Sequence, residues 1–159
     1  LLGAGYCGLL LGLIGAIRQF PMGDLWVLFL LAVVWVGDIA ALYVGRAGGR
    51  HPMAPRVSPK KSWEGAIASF VTAILVGAAC GVWVAFPTHH RPIIELALLG
   101  GAVNIGAQVG DLVESLLKRG AKVKDSGTLL PGHGGLLDRI DALLFAAPVV
   151  WYYVASFRR

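Results

Sequence analysis

Charge is what this chain has least of. Only 14% of its 159 residues are Asp, Glu, Lys or Arg, where a soluble domain carries roughly a quarter. Cysteine is nearly absent as well. Cys7 and Cys80 stand in separate apolar blocks, far from any CxxC or Cys/His spacing. A disulfide framework and a zinc site are therefore excluded as organising features, and the two thiols read as small buried hydrophobes. No GxGxxG and no Walker A loop occurs, which removes the Rossmann and P-loop readings. Internal repeats, low-complexity tracts and a charged signal-peptide n-region are missing too.

What fills the chain instead is apolar sequence, 57% of the residues, with a mean hydropathy of +0.71. Leu1 to Ile17, Gly65 to His90 and Ala142 to Phe157 carry no Asp, Glu, Lys or Arg. Leu25 to Val44 carry only Asp38, and Leu96 to Leu117 only Asp111 and Glu114. A bilayer span needs about 20 mostly apolar residues, and an isolated span must satisfy its own backbone, hence a helix. The expected fold is all-α: a polytopic integral membrane helix bundle with about five transmembrane helices, near 1–17, 25–44, 66–86, 93–117 and 142–157. Residues 1–159 read as a single membrane domain. Because the chain opens inside an apolar run, it is expected to be the C-terminal part of a longer parent.

The basic residues are unevenly placed. Arg46, Arg50, Arg56, Lys60 and Lys61 fall between Asp38 and Glu64, and Lys118, Arg119, Lys122, Lys124 and Arg139 fall in 118–141. The positive-inside rule puts loops 45–65 and 118–141 in the cytoplasm. Basic charge is also the footprint of nucleic-acid binders. Here it flanks spans without interleaved exposed aromatics, so no nucleic acid is expected, and phosphates of a lipid or a nucleotide fit better.

Polar groups inside the apolar runs narrow the chemistry. Asn104, Gln108, Asp111, Ser115 and Lys118 follow at helical spacing and share one face, with Glu114 at its border. An ionised Asp costs about 2.5–3.5 kcal/mol near the centre of a span on insertion scales, so intramembrane carboxylates are functional by default. The bland alternative is a structural network, with Asp111 held by Lys118 or Arg119. Asp38 either forms a structural lock or lines the same polar cavity. Ser58-Pro59 reads as the start of a helix, whose free N–H groups, with Lys60 and Lys61, make an anion site. In the Gly132–Gly135 run, glycines surround His133 and let backbone approach a ligand closely. Asp138 and Asp141 share a helical face, and carboxylates without cysteine suggest Mg2+.

The stretch SLLKRGAKVKDSGTLLPGHGGLLDRID, from Ser115 to Asp141, resembles the signature of the phosphatidate cytidylyltransferase family, also called CDP-diacylglycerol synthases. DIAALYVGR from Asp38, SPKKSWEG from Ser58 and GDLVES from Gly110 agree in order and spacing. The resemblance implies transfer of CMP from CTP to phosphatidic acid with Mg2+, giving CDP-diacylglycerol and pyrophosphate for phospholipid biosynthesis. It implies Asp111, Lys118 and Asp138 as catalytic, with Asp111 and Asp138 as Mg2+ ligands and Glu114 and Asp141 as auxiliary ones. Arg46, Ser58, Lys60, Lys61, Arg119, Lys124, Gly132, His133, Gly134, Gly135 and Arg139 would bind substrate. Asp38, Asn104, Gln108 and Ser115 would line a polar cavity. A second cation beside Mg2+ and a homo-oligomer stay open. The expected place is a bacterial inner membrane, with the site facing the cytoplasm. A CTP-dependent lipid-alcohol kinase and, in another class, a membrane cation transporter are the competing readings.

Overall fold

A computed structural model describes residues 2–83, 92–121 and 137–156, with backbone only at residues 2–7, 10, 11 and 137–140. Five helices carry the described chain: α1 (Leu2–Arg18), α2 (Gly23–Gly48), α3 (Trp63–Trp83), α4 (Pro92–Gly120) and α5 (Leu137–Ala155). Each apolar block thus becomes one helix, as hydrocarbon requires of a backbone that must bond to itself. By length and composition α2, α3 and α4 are able to cross a membrane, and the run Asp141–Ala155 is a shorter apolar helix. The chain is a membrane protein built as a helix bundle.

Helix α4 is the middle of the bundle, packed between α3 on one side and α5 on the other, while α2 lies on α3 and α1 on α5. Small residues set these distances. Gly65, Ser69, Ala73 and Gly77 are buried in α3 and repeat every fourth position on one face. A Cβ on Gly106 would stand 2.7 Å from the Phe145 carbonyl oxygen, and one on Gly110 2.7 Å from that of Asp141. Without attraction between apolar surfaces in lipid, such close backbone approach is what holds helices together. The large core side chains, Trp26, Phe29, Leu30, Leu96 and Val103, are buried toward the middle and the α1–α2 turn. Tyr43 and Trp63 are exposed at one end of the bundle, Trp83 and Tyr152 at the other, the arrangement of an aromatic belt at each interface.

Between α2 and α3 the chain forms a two-stranded antiparallel hairpin, β1 (Pro52–Ala54) and β2 (Ser58–Ser62), which pairs Pro52 with Ser62 and Ala54 with Ser58 around an irregularity. This corrects the expectation of a helix start at Ser58. Pro59 sits in a strand with a single neighbour, where a missing N–H is tolerated, and the ladder occupies the backbone groups that a helix would have used. The actual cap is Ser62: its Oγ accepts the Gly65 N–H at 3.2 Å, the third helical position. Glu64 fastens the hairpin to this helix end. Its carboxylate accepts the N–H groups of Arg50 and His51 at 3.2 and 3.3 Å and lies 2.6 Å from His51 Nδ1.

Candidate functional site

At the hairpin end, the polar stripe of α4 meets β2 and the start of α3 around a cavity of about 250 Å³. Asp38 on α2, Lys60, Lys61 and Ser62 on β2, Ser69 on α3, and Gln108 and Asp111 on α4 line it, with Leu42, Met53 and Leu112 as apolar wall. Polar floor and apolar wall together suit a ligand with a charged head and a hydrocarbon body.

The floor is a hydrogen-bonded chain. Asn104 Nδ2 donates to Ser69 Oγ at 2.8 Å, and Gln108 Nε2 donates to Asn104 Oδ1 at 2.6 Å and to the Ala66 carbonyl at 3.1 Å. Asn104 and Ser69 are both buried. Each side chain in this row therefore has the partner that a polar group away from water needs.

Above it the charges pair. Asp111 forms its ion pair with Lys61, across from the hairpin. The partner is thus neither Lys118 nor Arg119, the two that the bland alternative offered. Lys118 lies two turns further along α4, and its Nζ is 2.5 Å from Glu114 Oε2. Arg119 turns to the hairpin instead, with Nε donating to the Val57 carbonyl at 3.3 Å. Glu114 is 1% exposed and Asp141 8%, so both carboxylates sit where water gives them little help.

Asp111, Glu114 and Asp141 form one group: each offers an oxygen within 4.8 Å of the others, an arrangement able to hold a metal ion. The donor set is all oxygen, which suits a hard divalent cation. Asp141 comes from the first turns of α5, held close because Gly110 lets its backbone approach α4. Its Oδ1 accepts the Ala142 N–H at 2.7 Å.

Of the residues expected from the sequence, Asp38, Lys60, Lys61, Gln108 and Asp111 line the cavity. Glu114, Lys118 and Asp141 stand beside it through the carboxylate group and its ion pair, and Asn104 through the hydrogen-bonded floor. Ser58 is on β2, Ser115 is half-buried on α4, and Arg46 is exposed in the last turn of α2. Asp138 and Arg139 belong to the first turn of α5, but their side chains lie outside the described residues, as do Lys124 and Gly132, His133, Gly134 and Gly135. Sequence reading passes over Ser69 and Ser62. The signal for Ser69 was available: a hydroxyl at the same four-residue spacing as Gly65, Ala73 and Gly77 marks the buried face of α3.

Known proteins resemble this chain in sequence. The model of the cytidylyltransferase family matches residues 1–157. A phosphatidate cytidylyltransferase of Brucella suis is 44% identical over 155 residues, which are 97% of this chain and 55% of that protein. One of Synechocystis is 42% identical over 137 residues, 86% of this chain and 45% of its own. The uncharacterized protein YnbB of Escherichia coli is 43% identical over 132 residues, 83% and 43% of the two chains. The chain spans about half the length of the curated relatives it matches.

Proposed function

The chain belongs to the cytidylyltransferase family, and from that membership we propose that it transfers CMP from CTP to phosphatidic acid, forming CDP-diacylglycerol and pyrophosphate. One observation carries the reading beyond the family name. Three carboxylates and two lysines meet at the end of a cavity that has a polar floor and an apolar wall.

A phosphate oxygen of phosphatidic acid attacks the α-phosphorus of CTP, a new P–O bond forms, and the bond from the α-phosphorus to the β-phosphate oxygen breaks. The attacking group is already an anion, so no base has to take a proton from it. The obstacle is the mutual repulsion of two polyanions, which calls for fixed positive charge and alignment. Lys60 and Lys61 supply that charge from the hairpin, Lys118 and Arg119 from α4. Lys124, Arg139 and the backbone of Gly132 to Gly135 with His133 would extend the phosphate site, and Arg46 and Ser58 would border it. Gln108 and Asn104 keep the floor rigid. Leu42 and Leu112 face the acyl chains.

Asp111, Glu114 and Asp141, with Asp138, would hold Mg2+. Bound there, the ion supplies charge neutralisation of the triphosphate and polarisation of the phosphoryl group under attack. The relatives are bacterial, and the positive-inside rule applied to the basic hairpin supports a cytoplasmic site. The reading therefore places one membrane domain in the inner membrane with its site open to cytoplasmic CTP.

Radiolabelled CTP and phosphatidic-acid micelles test this directly. Label at the α-phosphate is expected to enter the lipid fraction in the presence of Mg2+ and to stay out when EDTA is added. The Asp111→Asn variant is expected to lose activity on the order of a hundredfold to a thousandfold, the usual cost of removing a key electrostatic group. Entry of γ-label alone would establish a lipid kinase instead. Ion flux without a lipid product would establish a transporter.

A further inference from the structure

The carboxylate group is already partly neutralised by the chain itself. Lys61 pairs with Asp111 Oδ2, and Lys118 Nζ stands 2.5 Å from Glu114 Oε2. Three carboxylates against two ammonium groups leave one negative charge unbalanced. A divalent cation bound to the same oxygens would stand next to both lysines, and like charges at that separation repel strongly in a poorly hydrated site.

The two lysines are not equally able to yield. Lys118 shares α4 with Glu114, one turn away, and its side chain is 19% exposed. Lys61 reaches Asp111 from another element, the two-stranded hairpin, and its side chain is 26% exposed at the wall of the cavity. A lysine is a point charge on a flexible four-carbon stem. Lys61 can therefore leave Asp111 for the cavity by rotating its own side chain, with no helix displaced.

We propose that Lys61 is an exchangeable counter-ion: it occupies Asp111 when the metal is away, and a metal ion entering the carboxylate group releases it into the cavity to meet a substrate phosphate. This rests on the metal assignment made above. Its consequence is order. The phosphate site gains its cation only after the metal has loaded, so an anionic lipid alone meets a lysine that is already engaged. Competition of this kind is reciprocal, because whatever lysine binding costs the metal, metal binding costs the lysine.

Mn2+ binding, followed by the loss of its free paramagnetic resonance signal in detergent micelles without nucleotide, reads the exchange apart from activity. The K61M variant is expected to bind Mn2+ about tenfold more tightly than the unaltered chain, an ordinary size for coupling between neighbouring sites. R56Q removes the same charge from the hairpin turn and is expected to leave the affinity unchanged. In the unaltered chain, acylation of Lys61, followed by mass spectrometry, is expected to rise when Mn2+ is added. Equal or weaker Mn2+ binding by K61M, or Lys61 acylation that stays level or falls, overturns the proposal. If K61M does not fold, the acylation measurement decides alone. Absence of Mn2+ binding in the unaltered chain would remove the metal assignment and this inference together, whereas binding without release of Lys61 removes only the latter.

Discussion

Asn104 of α4 donates its side-chain amide to the hydroxyl of Ser69 on α3 at 2.8 Å, with both residues shut away from the surroundings of the bundle. This bond ties two of the three helices that line the cavity. Its loss in Ser69→Ala is expected to lower stability by about 1 kcal/mol, the scale of interhelical hydrogen bonds in membranes. Thermal unfolding in detergent checks it. Gly37 lies against the same pair, where an added Cβ would stand 2.7 Å from Asn104 Nδ2 and 2.9 Å from Ser69 Oγ. The Gly37→Ala variant is therefore expected to disturb the same network from the α2 side.

Gly110 couples packing to chemistry. A methyl group there would press on the Asp141 carbonyl oxygen at 2.7 Å and on the ring of Phe145 at 3.2 Å. Overpacking of this kind costs typically about 1–3 kcal/mol. The Gly110→Ala variant is expected to push α5 away from α4 and carry Asp141 out of the carboxylate group. Mn2+ affinity and CMP transfer should both fall. Gly8→Ala, where nothing among the described residues lies within 4 Å of the added carbon, should change neither.

Among the described residues Glu114 and Lys118 form the most enclosed ion pair at the site, with side chains 1% and 19% exposed. Removal of one partner from a buried pair leaves the other charge uncompensated and costs about 3–5 kcal/mol. Lys118→Met is expected to unfold at markedly lower temperature than the unaltered chain. Adding Glu114→Gln should restore part of that loss in the double variant, because the carboxylate that lost this lysine is then neutral. Transfer activity is expected to stay low in both, and this separates the stabilising role of the pair from its role at the site.

Much of the bundle is legible in the residue order. Within the described residues each apolar block is a helix because the physics is local: a long apolar run in hydrocarbon has no other way to satisfy its backbone. The polar stripe on α4 is equally local, since helical spacing alone puts Asn104, Gln108 and Asp111 on one face. The hairpin was not legible, because Ser-Pro serves a helix cap and a strand with one neighbour about equally well. What decides between them is pairing with Pro52–Ala54 and the hold of Glu64 on His51. The partner of Asp111 was hidden for a similar reason. Lys118 is near it in the chain, but Lys61 is brought to it only by the packing of α3 against α4.

The hairpin is fastened at both of its ends, by Glu64 to the start of α3 and by close contact of Gly49 with Ser62 at the end of α2. Helices α2 and α3 with the strand between them are therefore a contiguous unit that synthesis completes before α4 exists. Asp111 follows in α4, so the chain makes its ion-pair partner Lys61 first. The chain order thus puts the cation ahead of the charge it has to receive.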